Sequence, residues 1–392
     1  MRILFCINSL GCPGGIERVT IVKANALARI PGNEVAICYT DKGNFPKTIH
    51  PLSPAVKTFD LNTPYWGFTS AIKIFFNFIP TVLKTRKSLI NVINIFKPDV
   101  VVSTGSYEKF ALAGIRGKDK TSNRIDGDKI LKIREFHFGS TYRRLLSDSR
   151  LSYLKALFAE SFERQILSRF FDKSFLLTKT DLDLNFHNNV RFDYMHNPSS
   201  FSPSNIPDYR GRKKIVLAVG RICAQKNFES LLNIWSLVSP IVPDWKLRIV
   251  GNGSDYSKLV KQAAKLGINA SVELPGYSSD VENEMGQASI YVMTSRFEGF
   301  PLVLVEAQSM GLPIVTFDTP YGPSEIVRDG LDGFIVGYND INNFKDTLLK
   351  LISNSELRYK MSNNALQHSR SYSADIFAKK WMEKYNALLA EK

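Results

Sequence analysis

Apolar residues along the chain gather into short continuous runs, separated by longer stretches in which they recur at helical spacing. In the first half the runs are "RILFCI", "EVAICY", "DVVVST", "ILKIREF" and "SFLLT", with segments such as "ERVTIVKANALARI" between them. The second half repeats the rhythm with "KIVLAVG", "LRIVG", "SVELPG", "SIYVMT" and "PIVTF". The short runs predict strands and the periodic stretches predict helices. Strands that alternate with helices on this scale form parallel sheets covered by helices, and the chain carries two such sets. The predicted class is α/β, with two Rossmann-like, doubly wound parallel-sheet domains.

Between the two sets lies "HNPSSFSPSNIPDYRGRKK", residues 196–214, rich in Pro, Ser, Asn and charge, which predicts the linker. The domains expected are residues 1–197 and 198–374. The terminal "SADIFAKKWMEKYNALLA" predicts one more helix, capped by Ser373, with Phe377, Trp381, Tyr385 and Leu388 on one face. Ligands of doubly wound sheets bind outside the carboxyl ends of the strands, so the site is expected in a cleft across which the domains face.

Composition agrees with two ordinary cores: 392 residues, 44% hydrophobic and 22% charged. No segment reaches the roughly 18 to 20 consecutive apolar residues of a membrane-spanning helix. "MRILFCINSL" leads into "GCPGG" and not into a cleavage site, so it reads as a first strand and not as a signal peptide. Cys6, Cys12, Cys38 and Cys223 have neither metal-ligand spacing nor a disulfide-dense pattern, which suits a reducing cytoplasm.

Charge changes the picture more. Residues 1–199 hold 29 Lys and Arg against 17 Asp and Glu, a net of +12, whereas residues 200–392 hold 22 against 20, a net of +2. A basic half attracts anionic lipid or nucleic acid. No nucleic-acid-binding module is recognisable. "YWGFTSAIKIFFNFIPTVLKTRK", residues 65–87, sets Trp66, Phe68, Phe75, Phe76 and Phe78 beside Lys73, Lys84, Arg86 and Lys87. That mixture suits a membrane interface, or equally a helix packed on the core with a solvated basic end.

Candidate chemistry sits after the strands. Gly14 and Gly15 follow the first and precede a helix; such glycines admit a close ligand, and free amides at a helix start favour an anion. Their spacing is neither that of a dinucleotide fold nor that of a phosphate loop. In "VGRICAQKN", Arg221 and Lys226 bring a guanidinium fork and an ammonium point charge to one strand end, a pair able to hold a diphosphate. "VGNGSDY" has Gly251 and Gly253 but Tyr256 where a dinucleotide fold needs its third glycine, which argues against an NAD enzyme. In "SRFEGFPLVLVEAQSMG", Glu298 and Glu306 flank an otherwise almost wholly apolar run. A helix dipole explains a surface acid, but not two acids in such a run. Two Asp-x-Asp triplets, Asp126 with Asp128 and Asp181 with Asp183, are of a kind common in loops and helix starts.

Taken in order, "GGIERV", "HNP", "VGRICAQKN", "VGNGSDYSKL", "SRFEGFPLVLVEAQSMGLPIV" and "GPSEIVRDGLDGFIV" resemble the retaining GT-B glycosyltransferases of family four. The resemblance covers nearly all of the second half and a few landmarks of the first. It implies that Glu298 contacts the donor sugar on its reacting face and that Glu306 accepts hydrogen bonds from the ribose of the nucleotide. It implies further that Phe300 and Leu302 offer backbone amides to phosphate or sugar, and that Gly14 and Gly15 complete the diphosphate pocket. His137, near where relatives place a histidine, would orient a sugar hydroxyl, although a lone histidine is more often structural. The last helix, residues 375–392, would return to the first domain.

GT-B relatives usually dispense with a metal, so neither a metal nor another cofactor is expected. "YGPSEIV", residues 321–327, resembles the form in enzymes that build bacterial surface polysaccharides from UDP-sugars. The implied activity is retaining transfer of a hexose or N-acetylhexosamine from a nucleotide sugar to a lipid-linked saccharide, at the inner face of the cytoplasmic membrane and against its anionic surface. A GDP-mannose-dependent mannosyltransferase, a non-catalytic sugar-nucleotide binder and a basic nucleic-acid binder are the alternatives.

Overall fold

The computed structural model describes residues 1–392 except 12–13, 41–49, 64–70, 106–107, 116–128, 148 and 202–207, and except the side chains of residues 71–77. Cys12, Trp66, Phe68, Asp126 and Asp128 therefore lie outside the described residues, as do the side chains of Lys73, Phe75 and Phe76. The chain forms two compact units, Met1–Ser200 together with Ala374–Lys392, and Phe201–Ser373.

The first unit is built on a sheet of β1 (Arg2–Ile7), β2 (Glu34–Tyr39), β3 (Val56–Asp60), β4 (Val100–Ser103), β5 (Leu131–Glu135), β6 (Lys173–Leu176) and β7 (Phe192–Tyr194). Their order is β3-β2-β1-β4-β5-β6-β7, and every pairing is parallel. Helices cover both faces, so the central strands carry apolar residues in both directions. Ile3, Phe5 and Ile7 of β1 enter one core cluster, while Leu4 and Cys6 enter the other. This period of two explains why the run reads as continuously hydrophobic. Cys6 stands opposite Cys38 in the β1–β2 register; both are buried free thiols.

The second unit repeats the plan with β8 (Ile215–Val219), β9 (Lys246–Val250), β10 (Val272–Gly276), β11 (Ile290–Met293), β12 (Ile314–Phe317) and β13 (Gly333–Val336). The order is β10-β9-β8-β11-β12-β13, again all parallel. Winding reverses between β1 and β4 in the first sheet and between β8 and β11 in the second. Such switch points open a crevice at the carboxyl ends of the strands.

The terminal helix, Ala374–Ala390, belongs to the first unit. Phe377, Trp381 and Tyr385 join the cluster of Ile3, Phe5 and Ile7, and Trp381 meets Phe175 edge-on at a centroid distance of 4.5 Å. The stretch 65–87 runs into the long helix Ala71–Phe96, whose end packs Leu89, Val92, Ile93 and Phe96 into the core. Phe78 makes an edge-on ring contact with Phe110 at 5.1 Å, a packing role, whereas Lys84 and Lys87 remain exposed. No helix among the described residues is long and apolar enough to cross a membrane.

Candidate functional site

In the second unit, two loops meet at the switch point. The loop after β8 carries Gly220, Arg221 and Lys226; the loop after β11 carries Glu298, Gly299 and Phe300. Backbone and side-chain bonds zip them together: Arg296 donates its amide to Gln225 O at 2.8 Å, and Gln225 Nε2 donates to Phe297 O at 3.1 Å. Across this seam Lys226 Nζ donates to Glu298 Oε1 at 2.7 Å, with the two side chains 17% and 9% exposed. Arg221 is exposed and has no ion-pair partner among the described residues.

Glycines set this geometry. At Gly220 the chain runs beneath the Lys226 stem, where a β-carbon would sit 3.2 Å from Lys226 Cε. The loop after β9 presses on the same place: β-carbons at Gly251 and Gly253 would come within 1.9 Å of Gly220 O and 2.1 Å of Ile222 O. Gly251 also has a φ of +151°. "VGNG" is therefore a close backbone approach between neighbouring strand ends.

Glu306 is fully buried in the helix Leu302–Ser309, with Pro301 at its N-cap position. The Tyr291 hydroxyl, at the end of β8 beside the Val219 backbone, is within the field of both acids. Burial, then Glu306 and Glu298, push its pKa far above the usual phenol value. Leu302 is the first helical residue, so its amide is one of those the helix cannot satisfy. Phe300 is buried in the same loop.

The far end of this helix is anchored by a network that the sequence reading did not assign. Gln308 Nε2 donates to Asp332 Oδ1 at 3.2 Å and to Ile326 O at 2.8 Å, while Arg328 Nε donates to Asp332 Oδ2 at 2.6 Å. Burial would raise the pKa of Asp332, but His368 and Arg328 hold it below the usual value. The "RDGLDG" segment fixes the helix that carries Glu306.

In the first unit, Gly14 is the N-cap of the helix Gly15–Ala28, in extended conformation. A β-carbon at Gly14 would collide with the Glu17 carboxylate, which folds back over the helix start. His137, after β5, is not a lone histidine. It is buried with Nε2 3.3 Å from Glu135 Oε2, and Lys23 Nζ donates to the same oxygen at 2.9 Å. Burial lowers the pKa of His137, which keeps the imidazole neutral near pH 7. Burial opposes ionisation of Glu135 too, but Lys23 and His137 outweigh it and hold its pKa at about 2. Lys23 lies nine residues beyond Gly14 in the helix Gly15–Ala28, and spacing gave no sign of its pairing across the sheet.

A second charged cluster follows β5. Glu163 accepts from Lys109 Nζ and Arg143 Nη2, each at 2.8 Å, and from Arg134; Glu160 accepts from Arg144 Nε at 2.7 Å. Burial would raise the pKa of Glu163, but Arg134, Lys109 and Arg143 hold it well below the carboxylate range. Arg143, Arg144, Glu160 and Glu163 line a cavity of about 240 Å³ with Tyr142 and Phe186. Asp181 has structural partners: Ser140 donates its amide to it at 2.7 Å, and Asn185 Nδ2 donates at 2.9 Å. Asp183 is exposed, 4.0 Å from Lys179. No group of three metal-ligating side chains occurs among the described residues.

Two Rossmann-like parallel-sheet units, the second with a cation and an acid at its switch point, define the GT-B class of glycosyltransferase architecture. The family model "Glycosyl transferases group 1" matches residues 204–368, which make up most of the second unit. Over 171 residues it is 38% identical to the amylovoran biosynthesis glycosyltransferase AmsD of Erwinia amylovora, covering 44% of this chain and 48% of that one. The matched segment thus spans about half of that relative's length. An uncharacterized glycosyltransferase of Haemophilus influenzae is 28% identical over 384 residues, covering 97% of this chain and 98% of its own. The crystal structure of TarM of S. aureus, in complex with fondaparinux, α-GlcNAc-glycerol and UDP, is similar in fold, with a TM-score of 0.77 and 16% identity over 98% of this chain and 99% of that one.

Proposed function

We propose that the protein is a retaining hexosyltransferase of bacterial surface-polysaccharide assembly, moving a hexose or N-acetylhexosamine from a UDP-sugar to a lipid-linked saccharide at an anionic membrane surface. The observation that carries the proposal is the Lys226–Glu298 pair, joined across the switch-point loops, with Arg221 in the same loop as Lys226 and Glu306 buried in the helix that follows Glu298. The name of the Erwinia relative supports the polysaccharide, and the UDP held by the S. aureus protein supports the nucleotide.

The chemistry starts from the leaving group. The bond between the anomeric carbon and the phosphate oxygen breaks, and its electron pair leaves with the nucleoside diphosphate. Lys226 and Arg221 meet the charge where it develops, a role worth about 2.7 to 4 kcal/mol for one preorganised donor. Lys226 is held by Glu298 in the resting protein, so the diphosphate takes over a cation already desolvated and aimed. Glu298 then faces the sugar, and Glu306 receives the ribose hydroxyls. The acceptor hydroxyl attacks from the face the diphosphate leaves, and a phosphate oxygen takes its proton. No strong protein base and no metal are needed in this scheme. The neutral His137 orients a donor hydroxyl, and the amides of Gly14, Gly15, Phe300 and Leu302 serve phosphate and sugar.

These carboxylates have separate tasks. They differ in this from the acid and nucleophile of a retaining glycosidase, which flank one bond roughly 5 to 5.5 Å apart. The test is transfer of labelled sugar from a panel of UDP-sugars and GDP-mannose into lipid extract, with nucleotide release followed in parallel. Label in lipid from one UDP-sugar, absent with Lys226→Ala, is the expected result. Release from GDP-mannose alone would move the assignment to a mannosyltransferase. Binding of nucleotide without release from any donor would make the protein a non-catalytic relative.

A further inference from the structure

Three titratable side chains meet in the interior of the first unit. Lys23 comes from the helix Gly15–Ala28, Glu135 from the end of β5 and His137 from just beyond it, and each side chain is 3% exposed. Glu135 Oε2 accepts from Lys23 Nζ at 2.9 Å and has His137 Nε2 at 3.3 Å. Lys23 Nζ also lies 5.3 Å from the centroid of the Phe377 ring, an aromatic face that favours the ammonium. Tyr385, from the same terminal helix, stands within the field of Glu135; burial and that carboxylate raise its pKa, so it stays a neutral phenol. Stability alone does not account for the cluster, because apolar residues of the same volume commonly serve a core as well as a buried ion pair.

Proton placement accounts for it. A ring nitrogen that faces an ionised carboxylate carries the hydrogen, since two lone pairs repel, so Nε2 is the N–H and Nδ1 keeps its lone pair. One further proton on the Glu135–His137 pair reverses this. On the ring it makes an imidazolium with N–H at both nitrogens; on the carboxyl it makes Nε2 the acceptor and moves the ring hydrogen to Nδ1. Either way Nδ1 becomes a donor. Lys23 opposes that proton at both places. Burial, and with it the Lys23 charge, lowers the pKa of His137 against the pull of Glu135, while Lys23 and His137 overcome burial to hold Glu135 at about 2. We propose that Lys23 and Glu135 are positioning residues: they keep the hydrogen on Nε2, so that Nδ1 of His137 accepts a hydrogen bond from a hydroxyl of the donor sugar. The sugar at His137 rests on the transferase reading, while the tautomer rests on the geometry of the cluster alone. A donor with fluorine in place of that hydroxyl, which cannot donate, is disfavoured by the same arrangement.

Nitrogen NMR of the full chain with isotope-labelled histidine reads the tautomer directly, and His137 is identified among the five histidines by its loss in His137→Ala. The wild type should show the Nε2–H form at pH 7. Lys23→Met should bring hydrogen onto Nδ1 at a higher pH than in the wild type. Glu135→Gln, whose amide offers the ring either an oxygen or an N–H, should mix the two neutral tautomers. In transfer assays the acid limb of kcat/KM should move up in pH for Lys23→Met and down for Glu135→Gln, and the plateau of Glu135→Gln should fall about 2- to 10-fold, the worth of one neutral hydrogen bond. Neither substitution should lower kcat/KM further in the His137→Ala background, a result that loss of packing alone does not produce. If Lys23→Met fails to fold, the wild-type tautomer and Glu135→Gln still decide. A wild-type ring with hydrogen on Nδ1 at pH 7 overturns the proposal, and so does a Glu135→Gln variant with the wild-type tautomer and acid limb. The Nε2–H form without transfer from any donor upholds the cluster and refutes the transferase reading, so the two failures give different results.

Discussion

Replacing Lys226 by Ala perturbs two things that a double variant can separate. Unit charges 2.7 Å apart attract by about 6 kcal/mol at an effective dielectric constant of 20, most of which desolvation offsets. Removing the lysine alone leaves the Glu298 carboxylate, 9% exposed, without its cation. Full burial would make that loss about 3 to 5 kcal/mol; with this residual access to water, about 2 to 3 kcal/mol of folding stability is expected to go. Turnover should fall by about 100- to 1,000-fold, because the departing diphosphate loses a preorganised donor. Adding Glu298→Gln to Lys226→Ala removes the stranded charge, so about 1 to 2 kcal/mol of stability should return while turnover stays low. Thermal or urea denaturation reads the first quantity and nucleotide release the second. A single variant with turnover within about fivefold of wild type, or a double variant no more stable than Lys226→Ala, would refute the reasoning.

Glu306→Ala should weaken UDP binding by about 10- to 150-fold, the worth of hydrogen bonds to a charged group; calorimetric titration giving wild-type affinity would remove Glu306 from the donor site. Gly251→Ala should destabilise the second unit by about 2 kcal/mol or more, since its methyl meets the Gly220 carbonyl; an unchanged melting curve would contradict the close packing of the two loops. The Glu135 pKa of about 2 in the folded state lies below its unfolded value of about 4.3, so its contribution is complete above that unfolded value and is lost as pH falls toward about 2. Glu135→Gln should accordingly lower the melting temperature of the first unit at pH 7 and flatten its acid limb; parallel melting profiles for wild type and variant between pH 7 and pH 3 would show that the pair contributes nothing.

Ten strands were legible as runs of apolar residues, and the structure has thirteen. The three missed, β3, β7 and β13, all lie at sheet edges. β3 has the burial pattern of a half-solvated ribbon, with Lys57 and Asp60 exposed, and β7 is three residues long, so neither produces a continuous apolar signal. The loops after β8 and β11 were legible because glycines and charges stand at fixed offsets from strong strands. Lys226 and Glu298 were both singled out, but their pairing was not, since 72 residues separate them and only the switch point joins them. The same limit hid the contact of Lys23 with Glu135, 112 residues away, and the anchoring of Gln308 by Asp332. Buried ion pairs formed across a sheet have no sequence period.

The helix Ala374–Ala390 reverses the usual order in which the two units can be completed during synthesis. Domains generally fold as units as they emerge, the N-terminal one first. Here the second unit, Phe201–Ser373, is one continuous segment and is whole once residue 373 has cleared the ribosome. The first unit, although made first, lacks Phe377, Trp381 and Tyr385 until the helix that bears them arrives, and the face of its sheet that Ile21, Ala24 and Leu27 cover in part stays incompletely covered through the whole synthesis of the second. Nascent chains halted before residue 374 should therefore hold a finished second unit beside an open first one, which makes the first unit the part of the newborn protein that depends on protection by chaperones.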